Sequence, residues 1–141
     1  KIRDVLMEDT TGKALKTLSR AELLSFQQKN TEAQQLLDSL LLTVQNPVIT
    51  SYTLFSAAEL AVDQKDFQKA DSMFQLLFET YPDSYLADEA IYESGLLLEH
   101  NLENLTLASE RYQLLIDNYP ASIFVAEARR RYRLLRGDNV L

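Results

Sequence analysis

The sequence predicts an all-α fold, a stack of antiparallel helical hairpins closed by a single final helix. Three observations carry this expectation. Glycine and proline number only three each in 141 residues, too few for a turn-rich β sandwich or a glycine-lined phosphate-binding α/β fold. Apolar residues recur at helical spacing, as in Leu54, Ala57, Ala58 and Ala61, then Phe67, Ala70, Phe74, Leu77 and Phe78. The chain also repeats itself. Shifted by 38 residues, Phe74 to Ala90 falls on Tyr112 to Ala128 with 8 identities in 17 positions, as in units that stack to share a continuous core.

The elements follow in order. Residues 1–8 read as the end of one helix, and helices over about 14–29 and 31–44 form a first hairpin. It is a weaker copy, in which Ala33 lies 37 residues before Ala70 and Leu37 stands in place of the aromatic. Helices over about 48–64 and 67–80 make the second hairpin, joined by Gln64-Lys65-Asp66, a connection short enough only for antiparallel neighbours. Helices over about 85–100 and 105–118 make the third, and 122–136 the last helix. Pro47, Pro82 and Pro120 each follow a hairpin, where proline, with no N–H to donate, ends a helix. Ser84 and Ser122 are expected as N-caps and Gly137 as a C-terminal stop.

Ala70, Phe74 and Pro82, spaced four and eight, resemble a tetratricopeptide repeat, with a small residue, an aromatic and a proline at its positions 20, 24 and 32. Ala108, Tyr112 and Pro120 repeat the pattern with one residue inserted, after Gly95 at position 8. The resemblance implies a right-handed superhelix of antiparallel helical hairpins with a C-terminal capping helix. It spans a single domain, 1–141, with repeats at about 14–47, 51–84 and 88–121 and a cap at about 122–136. Gly95 and Ala108 would let the helices of a hairpin approach closely, and Phe74 and Tyr112 would fill the gap between hairpins. The phrases Tyr81-Pro82-Asp83-Ser84 and Tyr119-Pro120-Ala121-Ser122 resemble a longer subtype seen in bacterial envelope proteins such as the Tol-Pal coordination protein and the outer-membrane assembly lipoprotein. The ending from Ala128 to Asp138 is similar to the C-terminus of large multi-repeat proteins of Gram-negative bacteria. The family implies a protein-binding scaffold without catalytic residues, and the subtype favours the periplasm or cell envelope.

The side-chain inventory supplies little for catalysis. With no cysteine there is no disulfide, thiolate zinc site or cysteine nucleophile. His100, the only histidine, sits at a helix end and belongs to no metal motif. Asp83, Asp88, Glu89 and Glu93 cluster where a helix begins, and acids there complement its dipole. No apolar run exceeds four residues, Ile123 to Ala126, which excludes a membrane-spanning helix and a signal peptide within this segment. The reading is therefore of no enzyme, no cofactor, no metal and no membrane insertion.

Charge is more telling. The net charge of −7 disfavours broad nucleic-acid binding. Residues 30–110 carry 14 acids and 2 lysines, whereas residues 126–136 carry five arginines and one glutamate. In the last helix Val125, Ala128, Tyr132 and Leu135 make one apolar stripe, so the arginines, Arg130 among them, either solvate a cap or form a docking patch for an acidic partner. In the repeat register the first helix of each pair lines the concave face. Tyr52, Phe55, Glu59, Val62 and Asp63, then Glu89, Tyr92, Leu96, Glu99 and His100, would be its exposed positions. Such a groove suits an extended peptide with apolar anchors and positive charge. The competing reading, that these aromatics pack between helices, stays open. So does a structural alternative, in which the chain ends a longer solenoid and its N-terminal hairpin stacks on further repeats or on a second copy.

Overall fold

The structure is a computed structural model that describes the backbone of residues 2–137 and the side chains of residues 10–137. Seven helices follow one another among these residues: α1 (Ile2–Phe26), α2 (Asn30–Thr43), α3 (Pro47–Asp63), α4 (Phe67–Thr80), α5 (Ala87–His100), α6 (Leu105–Asn118) and α7 (Val125–Arg136). Each packs on the next, giving hairpins α1–α2, α3–α4 and α5–α6 with α7 laid on α6. The architecture is the expected all-α solenoid.

Several boundaries differ from expectation, each for a local reason. The break expected between residues 8 and 14 is absent, because α1 runs unbroken through Gly12. A β-carbon there would meet nothing within 4 Å, so this glycine lowers helix propensity without breaking the helix. Helix α1 also stops at Phe26 rather than 29, because Gln28 turns into the left-handed region at φ 64°. The Lys29 N–H then bonds back to the Leu24 carbonyl at 2.8 Å and the Gln28 N–H to the Ser25 carbonyl at 3.0 Å, which closes the helix end. Lys65 repeats this at φ 60°, with bonds from Asp66 to Ala61 and from Lys65 to Val62. In the third hairpin Glu103 takes the left-handed place at φ 52°, and the Asn104 N–H reaches the Leu98 carbonyl at 2.8 Å. That longer closure absorbs the inserted residue.

Helix starts are set by side chains where the sequence allows. Asn46 accepts from the Val48 and Ile49 N–H groups, and Pro47 begins α3 rather than ending a helix, the first position being one where its missing N–H costs nothing. Asp66 and Asn104 cap α4 and α6 by accepting from Lys69 and Leu107. Ser84 and Ser122 are not N-caps. Their hydroxyls accept from the Leu86 and Phe124 N–H groups, each at 3.1 Å, and shape a turn that delays α5 and α7 by two to three residues relative to expectation. The two turns are tied to each other. The Tyr119 hydroxyl donates to the Pro82 carbonyl and the Ser122 hydroxyl to Asp88, both at 2.6 Å.

The core falls into two clusters. Ala14, Leu18, Ala21, Leu24, Ala33, Leu37 and Leu40 of the first hairpin gather with Ile49 and Leu60 of α3. Leu54, Ala58 and Ala61 on the rest of α3 join Phe74, Leu77, Ile91, Tyr112, Leu115, Val125 and Ala128. Small residues Ala21, Ala58 and Gly95 recur every 37 residues and are all buried. Gly95 has a specific reason: a β-carbon there would stand 2.6 Å from Tyr112 Cε1. The aromatics pack largely within hairpins, with Phe55 edge-on to Phe74 at 5.3 Å and Tyr112 on Gly95. A buried polar chain joins α4, α5 and α6. The Ser94 hydroxyl donates to Asp71 at 2.5 Å, and Arg111 Nε donates to the Ser94 oxygen at 3.1 Å while its guanidinium lies over the Phe78 ring. At the far end Val125 and Ala128 are buried, Tyr132 and Leu135 half-buried, and Gly137 at φ 91° stops α7.

Candidate partner-binding groove

Tyr52, Phe55, Glu59 and Asp63 sit at helical spacings of three and four on α3, so one face of the helix presents all of them. Across from them α1 contributes Glu22, Ser25 and Phe26, and Leu37 of α2 lies behind. The resulting groove has a volume of about 550 Å³. Ser56 donates to Glu22 at 3.2 Å and holds the two walls together. The groove continues toward α5. Phe55, Glu59, Val62, Asp63, Phe74, Glu89 and Glu93 enclose a further 180 Å³. Among the described residues no lysine or arginine lines either part.

The electrostatics follow from that composition. Glu59 has its pKa raised, first because the groove walls withdraw its carboxyl from bulk water and then because Glu89, Glu22, Glu93 and Asp63 repel its charge. Glu93 is raised by burial and by Glu89. Among the described residues no counter-charge lines the groove beside these acids, and the ring of Phe26, 84 % exposed, stands at the rim. A second concavity of about 360 Å³ adjoins at Tyr52, lined also by Pro47, Val48, Tyr81, Pro82 and Tyr85.

The remaining sequence candidates are placed differently. Tyr92 is half-buried, stacked on Phe124 with ring centroids 4.9 Å apart and tilted against Tyr112 at 6.4 Å. It is an anchor for the last helix rather than an open groove residue. Glu99 is likewise occupied: it accepts from the Tyr112 hydroxyl at 2.8 Å and from Arg131 at 3.0 Å, and its side chain is only 15 % exposed. Burial and the bond to Glu99 push the Tyr112 phenol up, so it stays protonated as a donor. His100 is exposed beside Arg131. Arg130 lies on the surface of α7, paired with Glu127 through both carboxylate oxygens. Sequence reasoning missed the α1 wall, whose only signals were Glu22 and Phe26 one repeat before Glu59 and Asp63.

Among the described residues no three His, Cys, Asp or Glu side chains gather so as to hold a metal ion, and no helix is long and apolar enough to cross a membrane. A search of curated proteins gives no match. Repeats of the tetratricopeptide type generally mediate protein–protein interactions and are typically non-catalytic. Residues 52–84 and 89–122, just under half of the chain, each match the family model described as tetratricopeptide repeat, and the described residues together form an all-α, tetratricopeptide-like solenoid.

Proposed function

We propose that the chain is a non-catalytic interaction scaffold that binds a basic, partly apolar peptide segment in the groove between α1, α3 and α5. The observation that carries the reading is the groove wall itself. Tyr52, Phe55 and Phe26 offer apolar contact beside Glu22, Glu59, Asp63, Glu89 and Glu93, with no cation among them. Aromatics supply anchoring area, and uncompensated acids attract and orient positive charge. Tyr52 lines both the groove and the adjoining Tyr–Pro concavity, so a longer segment would continue past it. Tyr92, Glu99 and Arg130 fall outside this binding surface. The resemblance of the Tyr-Pro turns to envelope-type repeats supports a place in the bacterial cell envelope.

The alternative, stacking of α1 on further repeats or another copy, has less support. Ala57 of α3 packs on the first hairpin and Ser94 of α5 meets Asp71, but their counterpart on α1 is Arg20. It is exposed, with Lys13 and Lys16 on the same face. Fluorescence anisotropy with labelled peptides of matched length tests the groove: a Lys/Leu-rich peptide should bind, and its Glu/Leu-rich counterpart should not. Phe55→Ala and Glu59→Gln should weaken the first. Equal binding of both peptides, or indifference to both substitutions, refutes the reading.

A further inference from the structure

Helix α7 repeats α5 at an interval of 38 residues, with Val125 and Ala128 buried as Ala87 and Ala90 are. On α5, Gly95 receives the Tyr112 ring of α6, and Ile91 and Leu98 lie one turn to either side, all buried. Their counterparts on α7 are Arg129, Arg133 and Arg136, all exposed. The face by which a first helix takes its hairpin partner is therefore, on α7, a stripe of arginines. Among the described residues neither Arg129 nor Arg133 has an ion-pair partner.

The adjacent helix carries the opposite sign. Glu110 and Asp117 of α6, seven residues apart, are exposed on the side opposite Ala108, Tyr112 and Leu115, and Glu103 is exposed in the turn before the helix. Among the described residues only Asp117 of these is engaged, accepting from Gln113 at 2.7 Å. An acidic and a basic stripe on neighbouring helices of one edge are self-complementary under a two-fold rotation, the commonest symmetry of soluble oligomers. A head-to-tail contact would instead set the arginines against Lys13, Lys16 and Arg20.

We propose that this edge is an interface with a second copy of the chain, in which the arginine stripe of each α7 lies against the acidic stripe of the other copy's α6. The contact is polar, so it is weak and sensitive to salt. Sedimentation equilibrium tests it. At about 25 mM salt, where charges interact over roughly 20 Å, the mean mass should rise above the 16.1 kDa of the monomer with concentration. At about 500 mM, where screening is within about 5 Å, it should return to the monomer. R129E/R133E should abolish the rise, E110K/D117K should do the same, and an equimolar mixture of the two variants should restore a dimer. All four positions are exposed, so circular dichroism should stay unchanged. Should one variant misfold, the other reads the same contact alone. A monomer at every concentration in low salt overturns the proposal, as does a dimer that survives both charge reversals. A monomer that binds a synthetic acidic helix through Arg129 and Arg133 assigns the face to a different protein and equally overturns it.

Discussion

Replacing Gly95 by alanine tests the packing logic of the whole stack at a single atom. In an open helix interior the change adds about 1 kcal/mol of stability, because alanine loses less backbone freedom. At residue 95 the added carbon would stand 2.6 Å from Tyr112 Cε1 and 3.0 Å from Cδ1 and Cζ. The ring cannot swing aside cheaply. It is fully buried, and its hydroxyl is held by Glu99 at 2.8 Å. Overpacking of this kind costs about 1–3 kcal/mol, and the contact at 2.6 Å puts residue 95 in the upper part of that range, so the propensity gain is outweighed and the net effect is a loss of about 1–2 kcal/mol. Gly12 supplies the internal control: it is also mid-helix, with nothing within 4 Å of its β-carbon position. Gly12→Ala should therefore stabilise by up to about 1 kcal/mol. Urea denaturation followed by circular dichroism at constant slope measures both. A double-mutant cycle of Gly95→Ala with Tyr112→Leu should show a coupling of about 0.5–3 kcal/mol, since removing the ring removes the clash. If Gly95→Ala matches or exceeds the parent in midpoint, the close approach of α5 and α6 is not what fixes this position.

Three further expectations can be checked by the same method. Ser94→Ala withdraws the hydroxyl from Asp71, which is 6 % exposed, and should cost about 1–3 kcal/mol; an unchanged midpoint would mean that Asp71 is satisfied without it. Lys65→Gly should stabilise by about 0.5–1 kcal/mol, because a left-handed non-glycine residue costs about 1–2 kcal/mol and glycine's added freedom in the unfolded chain returns only part of that. Glu59 and Glu93 have raised folded pKa values, so the folded state binds protons that the unfolded state has already released. Their penalty is absent below the unfolded value of about 4.5 and grows as pH rises through the folded pKa. Glu59→Gln and Glu93→Gln should therefore raise the midpoint at pH 7 and leave it unchanged at pH 4, and an equal effect at both would remove the electrostatic account.

What the sequence could disclose is what depends on neighbours three or four residues apart. Helices α4 and α6 match their expected ranges, because Asp66 and Asn104 cap them and a Tyr-Pro turn ends each. The same periodicity brings Tyr52, Phe55, Glu59 and Asp63 to one groove. Contacts that cross repeats were illegible. Tyr92 occupies a position that repeat register leaves open, but Phe124, 32 residues on, stacks over it, and Arg131, 32 residues on from Glu99, claims that carboxylate. Neither pairing leaves a trace in local spacing. The break expected between residues 8 and 14 failed for the opposite reason: Gly12, with no neighbour at its β-carbon position, carries only a propensity penalty, which the remaining residues of a 25-residue helix outweigh. Ser84 and Ser122 were ambiguous because the same hydroxyl can cap a helix or shape the turn before it.

The division of the core along α3 bears on how the chain responds to force. Ile49 and Leu60 belong to the smaller cluster, Leu54, Ala58 and Ala61 to the larger, so one helix is the seam between two apolar bodies. The Tyr119–Pro82 bond rivets the third hairpin's closing turn to the second's, and the Ser122–Asp88 bond ties it to the start of α5. Tyr81 holds the matching donor position in the second turn, but among the described residues its hydroxyl makes no such bond back to the first hairpin's turn. A load drawn along the stack therefore peels α1 and α2 from α3 before it disturbs the rest. Under such a load the first hairpin opens in an early step while the riveted part stays folded.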